Sequence, residues 1–295
     1  MKLLTYKLNN ETQIGVILSG DSDIYPLKAL GFEIDTMNDF IISGSIEKLK
    51  EIASCSDNFK EIPTISLSDV ELCAPIPSPM QDVICLGINY AEHAEESAKY
   101  KKEFSLLGRD YATYFSKRVL RAVDPGKPID SHSDFVEKLD YEVELAVVIG
   151  KDVYKATPEN AYDHILGYTI LNDMSARDLQ TRHNQWYFGK SLDDFTPIGP
   201  WIVTEDEFTR PPEIKLSSHI NGELRQNSST DLLLHDISEV ICELSQGMTL
   251  TAGTIIATGT PSGVGLGFNP PKFVKPGDVV TCTIEGIGVL ENPIK

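Results

Sequence analysis

The sequence predicts a β-rich α+β protein, a mixed β-sandwich or roll that follows a small N-terminal α/β domain. Short runs of β-branched and apolar residues recur between Gly and Pro turns from residue 82 to the C-terminus, and few segments have a helical period. The Pro-rich passage at 74–80 interrupts regular structure. We therefore predict a small domain at 1–73, a linker at 74–80 and a catalytic domain at 81–295.

The N-terminal residues alternate strand and helix signals. Strand-like runs occupy Lys2–Leu8 and Gln13–Leu18, and a helical pattern covers Thr36–Ala53 with an interruption at Gly44. This part of the sequence carries no catalytic-looking cluster.

The catalytic part carries most of the strand signals. The predicted strands are Asp82–Leu86, Tyr141–Ile149, Ile165–Asn172, Ile198–Val203, Lys215–Ile220, Thr254–Thr258 and Asp278–Ile284. The predicted helices are Glu92–Leu107, Ala176–Trp186 and Leu234–Gln246.

Composition excludes several classes of partner. The 295 residues carry a formal net charge of −18, which argues against nucleic acid and anionic membranes. Five cysteines lack Cys-x-x-Cys spacing and are expected to be reduced thiols. No stretch of about 18 apolar residues occurs, so a cytoplasmic protein without a membrane partner is expected.

One stretch departs from the acidic character of the chain. Residues 99–127 contain eight basic and three acidic residues, a local charge of +5. Few strand signals occur between residues 99 and 133, and a long connection beside a site is typical of a lid. We predict a lid at 99–133 that attracts an anionic substrate, although a solvated amphipathic face gives the same pattern.

Two carboxylates on one strand face indicate a metal site. Glu142 and Glu144 are two residues apart in a strand-like run, so their side chains share a face, while Val143 and Leu145 face the other side. Two acids on an otherwise apolar strand require a neutralising charge. The simplest source of that positive charge is a hard divalent cation, with Asp173 as its third ligand. The alternative interpretation is a strand face exposed to solvent, where the two acids need no metal.

A further carboxylate, outside this predicted metal site, lies beside a histidine. His93 and Glu96 are three residues apart in a helical pattern, and an imidazole held by a carboxylate can act as a general base near neutral pH. An exposed His/Glu pair is the alternative interpretation.

Three further segments supply polar groups. Arg177 and Gln180 follow Asp173 at helical spacing, so all three share a stripe if the segment is helical. Lys190 lies in a turn, where an exposed lysine is the common outcome. The glycine-rich segment 254–267 contains Thr260 and lacks the Gly-Lys-Ser/Thr ending of a phosphate-binding loop.

Taken in series from residue 84 to the C-terminus, these segments resemble the fumarylacetoacetate hydrolase (FAH) family, in its smaller bacterial type. The resemblance implies an FAH-type mixed β-sandwich roll and a homodimer. It implies a metal bound by Glu142, Glu144 and Asp173, a His93/Glu96 dyad and a substrate-polarising Lys190. It also implies substrate contacts from Arg177, Gln180, Tyr90 and Thr260. Asn89 is a departure, because the founding member of the family has a metal-binding aspartate at that place.

These expectations define the function predicted from sequence. We expect an enzyme dependent on Mg²⁺ or Mn²⁺, with Ca²⁺ as an alternative, that cleaves a carbon-carbon bond in a small anionic 2-oxo dicarboxylate. The reaction would be hydrolysis of an acylpyruvate or decarboxylation of oxaloacetate. The alternatives are an isomerase or hydratase of 2-hydroxy-dienoates from aromatic catabolism, and a catalytically silent metal-binding sandwich.

Overall fold

The computed structural model describes residues 1–54, 59, 61–100, 110–183 and 185–295, with the side chains of 97–100 left out. The strands are β1 Lys2–Leu8, β2 Glu11–Ile17, β3 Asp23–Pro26, β4 Ile65–Ser66, β5 Glu71–Leu72, β6 Val83–Gly87, β7 Thr113–Lys117, β8 Leu139–Asp140, β9 Val143–Ile149, β10 Ile165–Asn172, β11 Ser175–Ala176, β12 Ile198–Thr204, β13 Lys215–Ile220, β14 Glu223–Ser229, β15 Ile255–Ala257, β16 Val279–Ile284 and β17 Gly288–Pro293. The helices are α1 Met37–Ile42, α2 Ser45–Ala53, α3 Ala91–Tyr100, α4 Arg177–Arg182, α5 Tyr187–Lys190 and α6 Ile237–Ser245.

The strands form one large mixed sheet and two smaller sheets. The large sheet has 11 strands in the order β4-β3-β2-β1-β12-β10-β9-β15-β6-β7, with β5 also paired to β1. A four-stranded sheet has the order β14-β13-β16-β17, and β11 pairs with β8. Within the large sheet β6 and β15 are parallel, whereas β9 and β10 form an antiparallel pair. The predicted β-rich mixed fold is confirmed.

Strand β9 divides two cores. Val143, Leu145, Val147 and Ile149 belong to a core that also contains residues of β13 and β16. Ala146 and Val148 belong to a second core, which includes residues of α1 and α2. This period of two places Glu142 and Glu144 on the face opposite Val143 and Leu145, as predicted.

The N-terminal residues share the large sheet. Strand β1 pairs with β2 along its whole length and also with β12, through Lys2↔Val203 and Leu3↔Ile202. Residues 1–73 therefore contribute strands to the large sheet, and the division of the chain into domains at 74–80 stays a prediction. The predicted break at Gly44 is confirmed, since this residue separates α1 from α2 with a φ of 68°.

The predicted lid is described only in part. Residues 101–109 lie outside the described residues, and with them the predicted C-terminal end of α3. Within the predicted lid at 99–133, Thr113–Lys117 forms β7, which pairs with β6 along five residues, so this part belongs to the sheet. A strand this short, at the edge of the sheet, leaves little periodicity in the sequence.

No helix in the described part of the chain is long and apolar enough to cross a membrane. Cys73, Cys85, Cys242 and Cys282 are free thiols.

Candidate metal and active site

The three predicted metal ligands converge in the structure. Glu144 lies on β9, Glu142 directly precedes β9, and Asp173 directly follows β10. The register of this pair places Asn172 opposite Val143, and the Asp173 amide donates to the Glu142 carbonyl oxygen at 2.9 Å. Each of the three carboxylates offers an oxygen within 4.8 Å of the others, and all three residues are buried. The strand pairing therefore builds a compact set of three carboxylates.

Lys190 lies among these carboxylates. Its Nζ donates to Glu142 Oε2 at 2.7 Å and to Asp173 Oδ2 at 2.6 Å. The side chain is buried, so it is not the exposed turn lysine that its sequence position commonly gives. Burial alone would lower the pKa of Lys190, but Asp173 and Glu142 outweigh that effect and raise it. Lys190 is therefore a charged ammonium inside the site.

The two glutamates differ in their electrostatic surroundings. Burial would raise the pKa of Glu142, but Lys190 and Arg177 outweigh that effect and hold it below its ordinary range. Burial, together with the charges of Asp173 and Glu142, raises the pKa of Glu144 well above its ordinary range. Glu144 is therefore the carboxylate whose negative charge the chain itself neutralises least.

These observations fit a divalent cation. Three carboxylates supply the oxygen ligands that hard cations prefer, and Glu144 lacks a cationic side-chain partner among the described residues. Among the described residues, the hydrogen bond that Glu144 Oε2 accepts comes from a backbone group, the Gly259 N–H at 2.9 Å. A second positive charge at this place would stabilise its ionised form.

Arg177 and Gln180 lie together at the start of α4. Arg177 Nη1 is 2.7 Å from Glu142 Oε1 and donates to Gln180 Oε1 at 3.0 Å. Nη2 is buried and has no hydrogen-bond partner within the described residues. The prediction that Asp173 shares one face of a helix with Arg177 and Gln180 is wrong, because α4 begins at Arg177 and Asp173 lies outside it. Strand pairing, and not helical spacing, brings Asp173 to this place.

The predicted dyad is present on α3. His93 Nδ1 lies 3.1 Å from Glu96 Oε2, and both side chains are largely buried. Glu96 Oε1 accepts the backbone N–H of Gly263 at 3.0 Å. The carboxylate is therefore held at both oxygens, which fixes the imidazole that it contacts.

The glycine-rich segment 259–267 connects the two parts of the site. Gly259 donates to Glu144, a predicted metal ligand, and Gly263 donates to Glu96 of the predicted dyad. Gly267 packs so closely on Glu96 that an added Cβ would lie 1.8 Å from Glu96 Oε1. The absence of a side chain at residue 267 is therefore a condition for the position of Glu96.

We expect Gly267→Ala to displace the Glu96 carboxylate and to lower activity that depends on His93 by about 10²-fold, the scale for a lost general base. The matched control is Gly247→Ala, because an added Cβ at Gly247 meets no atom within 4 Å. Steady-state kinetics of both variants against wild type would measure the effect. Equal activity of the two variants would contradict the role assigned to Gly267.

Other predicted residues have different surroundings. Thr260 Oγ1 donates to the Val143 carbonyl at 2.9 Å and accepts from Gln226 Nε2 at 2.7 Å. Tyr90 is buried, and its hydroxyl has no hydrogen-bond partner within the described residues. The substrate contacts of Thr260 and Tyr90 stay predictions.

Asn89, the departure from the founding member, joins two backbone segments. Its Nδ2 donates to the carbonyls of His235 and Thr258, both at 3.0 Å, and its Oδ1 accepts the His235 N–H at 2.9 Å. The Asn89 amide is therefore occupied by backbone groups in this chain.

A partly open pocket contains much of the site. The predicted residues that line it are His93, Glu142, Glu144, Arg177, Gln180, Lys190 and Thr260. Its apolar wall consists of Leu86, Ile88, Phe115, Trp186 and Leu266. The cationic groups Arg177 and Lys190, set beside this apolar wall, suit an anionic ligand.

Sequence reasoning missed Lys117, which lies at the end of β7. Its fully buried Nζ donates to Asp173 Oδ1 at 2.7 Å, to the Met174 carbonyl at 3.0 Å and to the Lys190 carbonyl. Burial lowers its pKa. The sequence signal for this residue is a lysine at the end of the aromatic, strand-like run 113–117. Lys117 holds both Asp173 and the backbone that carries Lys190.

Comparison with known proteins identifies the family of the chain. The sequence profile of the fumarylacetoacetate (FAA) hydrolase C-terminal family matches residues 82–295. Oxaloacetate tautomerase YisK of Bacillus subtilis (strain 168) is 41% identical over 305 residues, which cover all of both chains.

Solved structures give the same result. The fumarylacetoacetate hydrolase of psychrophilic Exiguobacterium antarcticum has a TM-score of 0.85 and 41% identity, covering 100% of this chain and 99% of its own. Maleylpyruvate hydrolase from Sphingobium sp. SYK-6, in complex with manganese (II) ion and pyruvate, has a TM-score of 0.78 and 27% identity, covering 100% and 98%. On its fold, its site and these likenesses, the chain belongs to the fumarylacetoacetate hydrolase family.

Proposed function

We propose that this protein is a divalent-metal-dependent enzyme that forms the enol or enolate of a small 2-oxo dicarboxylate, with oxaloacetate as the first candidate substrate. The observation that carries the proposal is that three buried carboxylates converge beside Lys190, and that two of them, Glu142 and Glu144, line one pocket together with Lys190 and His93. A binding module has no need of a dyad beside its metal ligands. The 41% identity to an oxaloacetate tautomerase favours keto-enol tautomerisation as the reaction.

The ligand set supports a metal of the Mg²⁺ or Mn²⁺ class. Glu142, Glu144 and Asp173 would hold the cation, which would act as a Lewis acid toward the oxygens of a 2-oxo acid. The manganese in the maleylpyruvate hydrolase complex supports the same class of metal here.

The chain's own residues supply the remaining chemistry. The Lys190 ammonium would stabilise the negative charge that develops on the C2 oxygen of the substrate. Arg177, with Nη2 unpartnered among the described groups, would bind a substrate carboxylate. The apolar wall that includes Phe115 and Trp186 would exclude water from the reacting carbon.

Tautomerisation requires one proton to leave and another to arrive. In the keto-to-enol direction, His93 would take a proton from C3, the electron pair of that bond would move to the C2 oxygen beside the Lys190 ammonium, and a proton from solvent water would then bind to that oxygen. Glu96 would hold the imidazole through Nδ1, which leaves Nε2 as the nitrogen for this transfer. The reverse direction returns a proton to C3.

Cleavage of a carbon-carbon bond is the second candidate, and the His93/Glu96 dyad favours it. In acylpyruvate hydrolysis, His93 would take a proton from water, which attacks the distal carbonyl, and the pyruvate enolate would leave and be protonated at C3. In oxaloacetate decarboxylation, the C3–C4 bond would break with loss of carbon dioxide, and water attack is unnecessary. Isomerisation of 2-hydroxy-dienoates, a homodimer and a cytoplasmic location stay predictions from the sequence.

A substrate screen with purified protein and Mg²⁺ or Mn²⁺ would test the proposal. Enol-oxaloacetate decay by ultraviolet absorbance, carbon dioxide release and acetylpyruvate hydrolysis separate the three reactions. We expect metal-dependent acceleration of enol-oxaloacetate decay that a chelator abolishes. No acceleration of any of the three reactions with either metal would overturn the proposal.

The dyad gives a further prediction. We expect His93→Ala to lower tautomerisation and hydrolysis by roughly 10²-fold or more, because both need a general base. Decarboxylation should fall less, because it needs no activated water. The matched control is Glu95→Gln on the exposed face of the same helix, which should retain wild-type rates. Equal losses in all three reactions would show that His93 positions the substrate and does not move protons.

A further inference from the structure

We propose that Asp140 is a positioning residue that connects the support of the His93/Glu96 dyad to the metal-binding carboxylates. Asp140 is the last residue of β8 and is fully buried. It does not line the cavity, so it acts through the residues that it contacts. This inference rests on the proposed function, because it concerns the groups that perform that chemistry.

The Asp140 carboxylate accepts four hydrogen bonds. Oδ1 accepts the N–H of Gly265 at 2.7 Å and that of Tyr141 at 3.0 Å. Oδ2 accepts the N–H of Leu266 at 3.0 Å and Arg177 Nε at 2.8 Å. A buried carboxylate with a cation and three backbone donors is strongly held, since each bond is charge-assisted.

On one side, these bonds fix the part of the glycine-rich segment that supports the dyad. Gly265 and Leu266 lie between Gly263, which donates to Glu96, and Gly267, which packs against Glu96. An added Cβ at Gly265 would lie 2.7 Å from Asp140 Oδ1, so the backbone lies directly on the carboxylate. The position of Glu96, and hence of His93, follows from this anchoring.

On the other side, Asp140 orients Arg177. The guanidinium bridges Asp140 through Nε and the metal-binding Glu142 through Nη1. Two anchors fix the plane of a guanidinium, and they leave Nη2 for the substrate carboxylate. One buried side chain therefore sets the relative positions of the general base and the arginine.

The test compares Asp140→Asn with Asp124→Asn. Asp124 is also buried, but among the described residues its carboxylate accepts the Ala74 N–H at 2.8 Å and pairs with Arg121, and it has no hydrogen bond to segment 259–267 or to Arg177. It therefore reports the loss of a buried carboxylate without a change at the dyad. The measurements are kcat and KM for oxaloacetate, the Kd for Mn²⁺, and hydrogen exchange across residues 91–96 and 259–267.

For Asp140→Asn we expect kcat to fall roughly 10- to 100-fold, the range for residues that orient metal ligands and catalytic groups. Exchange across 91–96 and 259–267 should accelerate by about fivefold or more, because backbone donors lose an acceptor. The Kd for Mn²⁺ should change less than kcat, because all three carboxylates remain. Asp124→Asn should leave kcat and these exchange rates unchanged.

Unchanged exchange in both segments, or a fall in kcat no larger than that of Asp124→Asn, would overturn the inference. Arg177→Lys provides a second test if Asp140→Asn does not fold, since a lysine cannot bridge Asp140 and Glu142 as a guanidinium does. We expect exchange across 263–267 to accelerate in that variant, and unchanged exchange would refute the connection. If the wild-type protein converts no 2-oxo acid, the proposed function is wrong. Hydrogen exchange and the Kd for Mn²⁺ would still test the role of Asp140.

Discussion

Glu144→Gln is expected to lose divalent-metal binding and to lower metal-dependent turnover by about 10³-fold or more, while the metal-free protein becomes more stable. The loss of turnover corresponds to several kcal/mol of charge stabilisation by the metal. The gain in stability follows from the raised pKa of Glu144, which reflects burial and the neighbouring charges of Asp173 and Glu142. A glutamine removes that repulsion, and its carbonyl can still accept the Gly259 N–H.

The pH dependence of this effect has a defined sign. Because the folded-state pKa of Glu144 lies above the ordinary value of 4.5, its contribution to stability is complete below pH 4.5 and is lost as pH rises through the folded-state pKa. The stability advantage of metal-free Glu144→Gln over wild type should therefore grow as pH rises from about 4.5. Urea unfolding in the presence of a chelator, repeated across pH, measures it.

Glu142→Gln is the matched comparison. Lys190 and Arg177 hold the pKa of Glu142 down against its burial, so its contribution to stability is present above pH 4.5 and is lost as pH falls through the folded-state pKa. This variant should lose metal binding as well, but its metal-free form should be less stable than wild type at neutral pH. Equal stability changes in the two variants, or full activity of Glu144→Gln in excess chelator, would contradict the assigned charges.

Lys190→Met is expected to destabilise the metal-free protein by about 3 kcal/mol, near the lower end of the range for breaking a buried ion pair. The Lys190 ammonium contacts Glu142 and Asp173, and its removal leaves the three buried carboxylates with less positive charge. The cost is not larger because Arg177 still pairs with Glu142 and Lys117 still pairs with Asp173. Added Mn²⁺ should restore much of the lost stability by binding the folded state.

Lys272→Met is the control for Lys190→Met. Lys272 pairs with Glu223 at 2.7 Å on the surface, where such pairs contribute about 1 kcal/mol or less. Chemical unfolding with chelator and with Mn²⁺ would compare the two variants. Equal destabilisation in chelator, or no recovery with Mn²⁺, would show that Lys190 does not neutralise the carboxylates.

The sequence by itself determined the features that depend on local spacing. Glu142 and Glu144 share a strand face because side chains alternate along a strand, and His93 meets Glu96 because residues three apart are neighbours on a helix. The break at Gly44 and most strands of the catalytic part follow from the same local rules. Five motifs in series were enough to identify the family.

The tertiary structure alone decided which distant segments meet. Asp173 joins the glutamates through the pairing of β9 and β10, and β1 extends the large sheet by pairing with β12. Local spacing does not predict the roles of Lys117 and Asp140, because these residues act through contacts with residues more than 30 positions away. Hydrogen bonds and ion pairs between remote segments depend on packing, and the periodicity of a sequence contains no record of that packing.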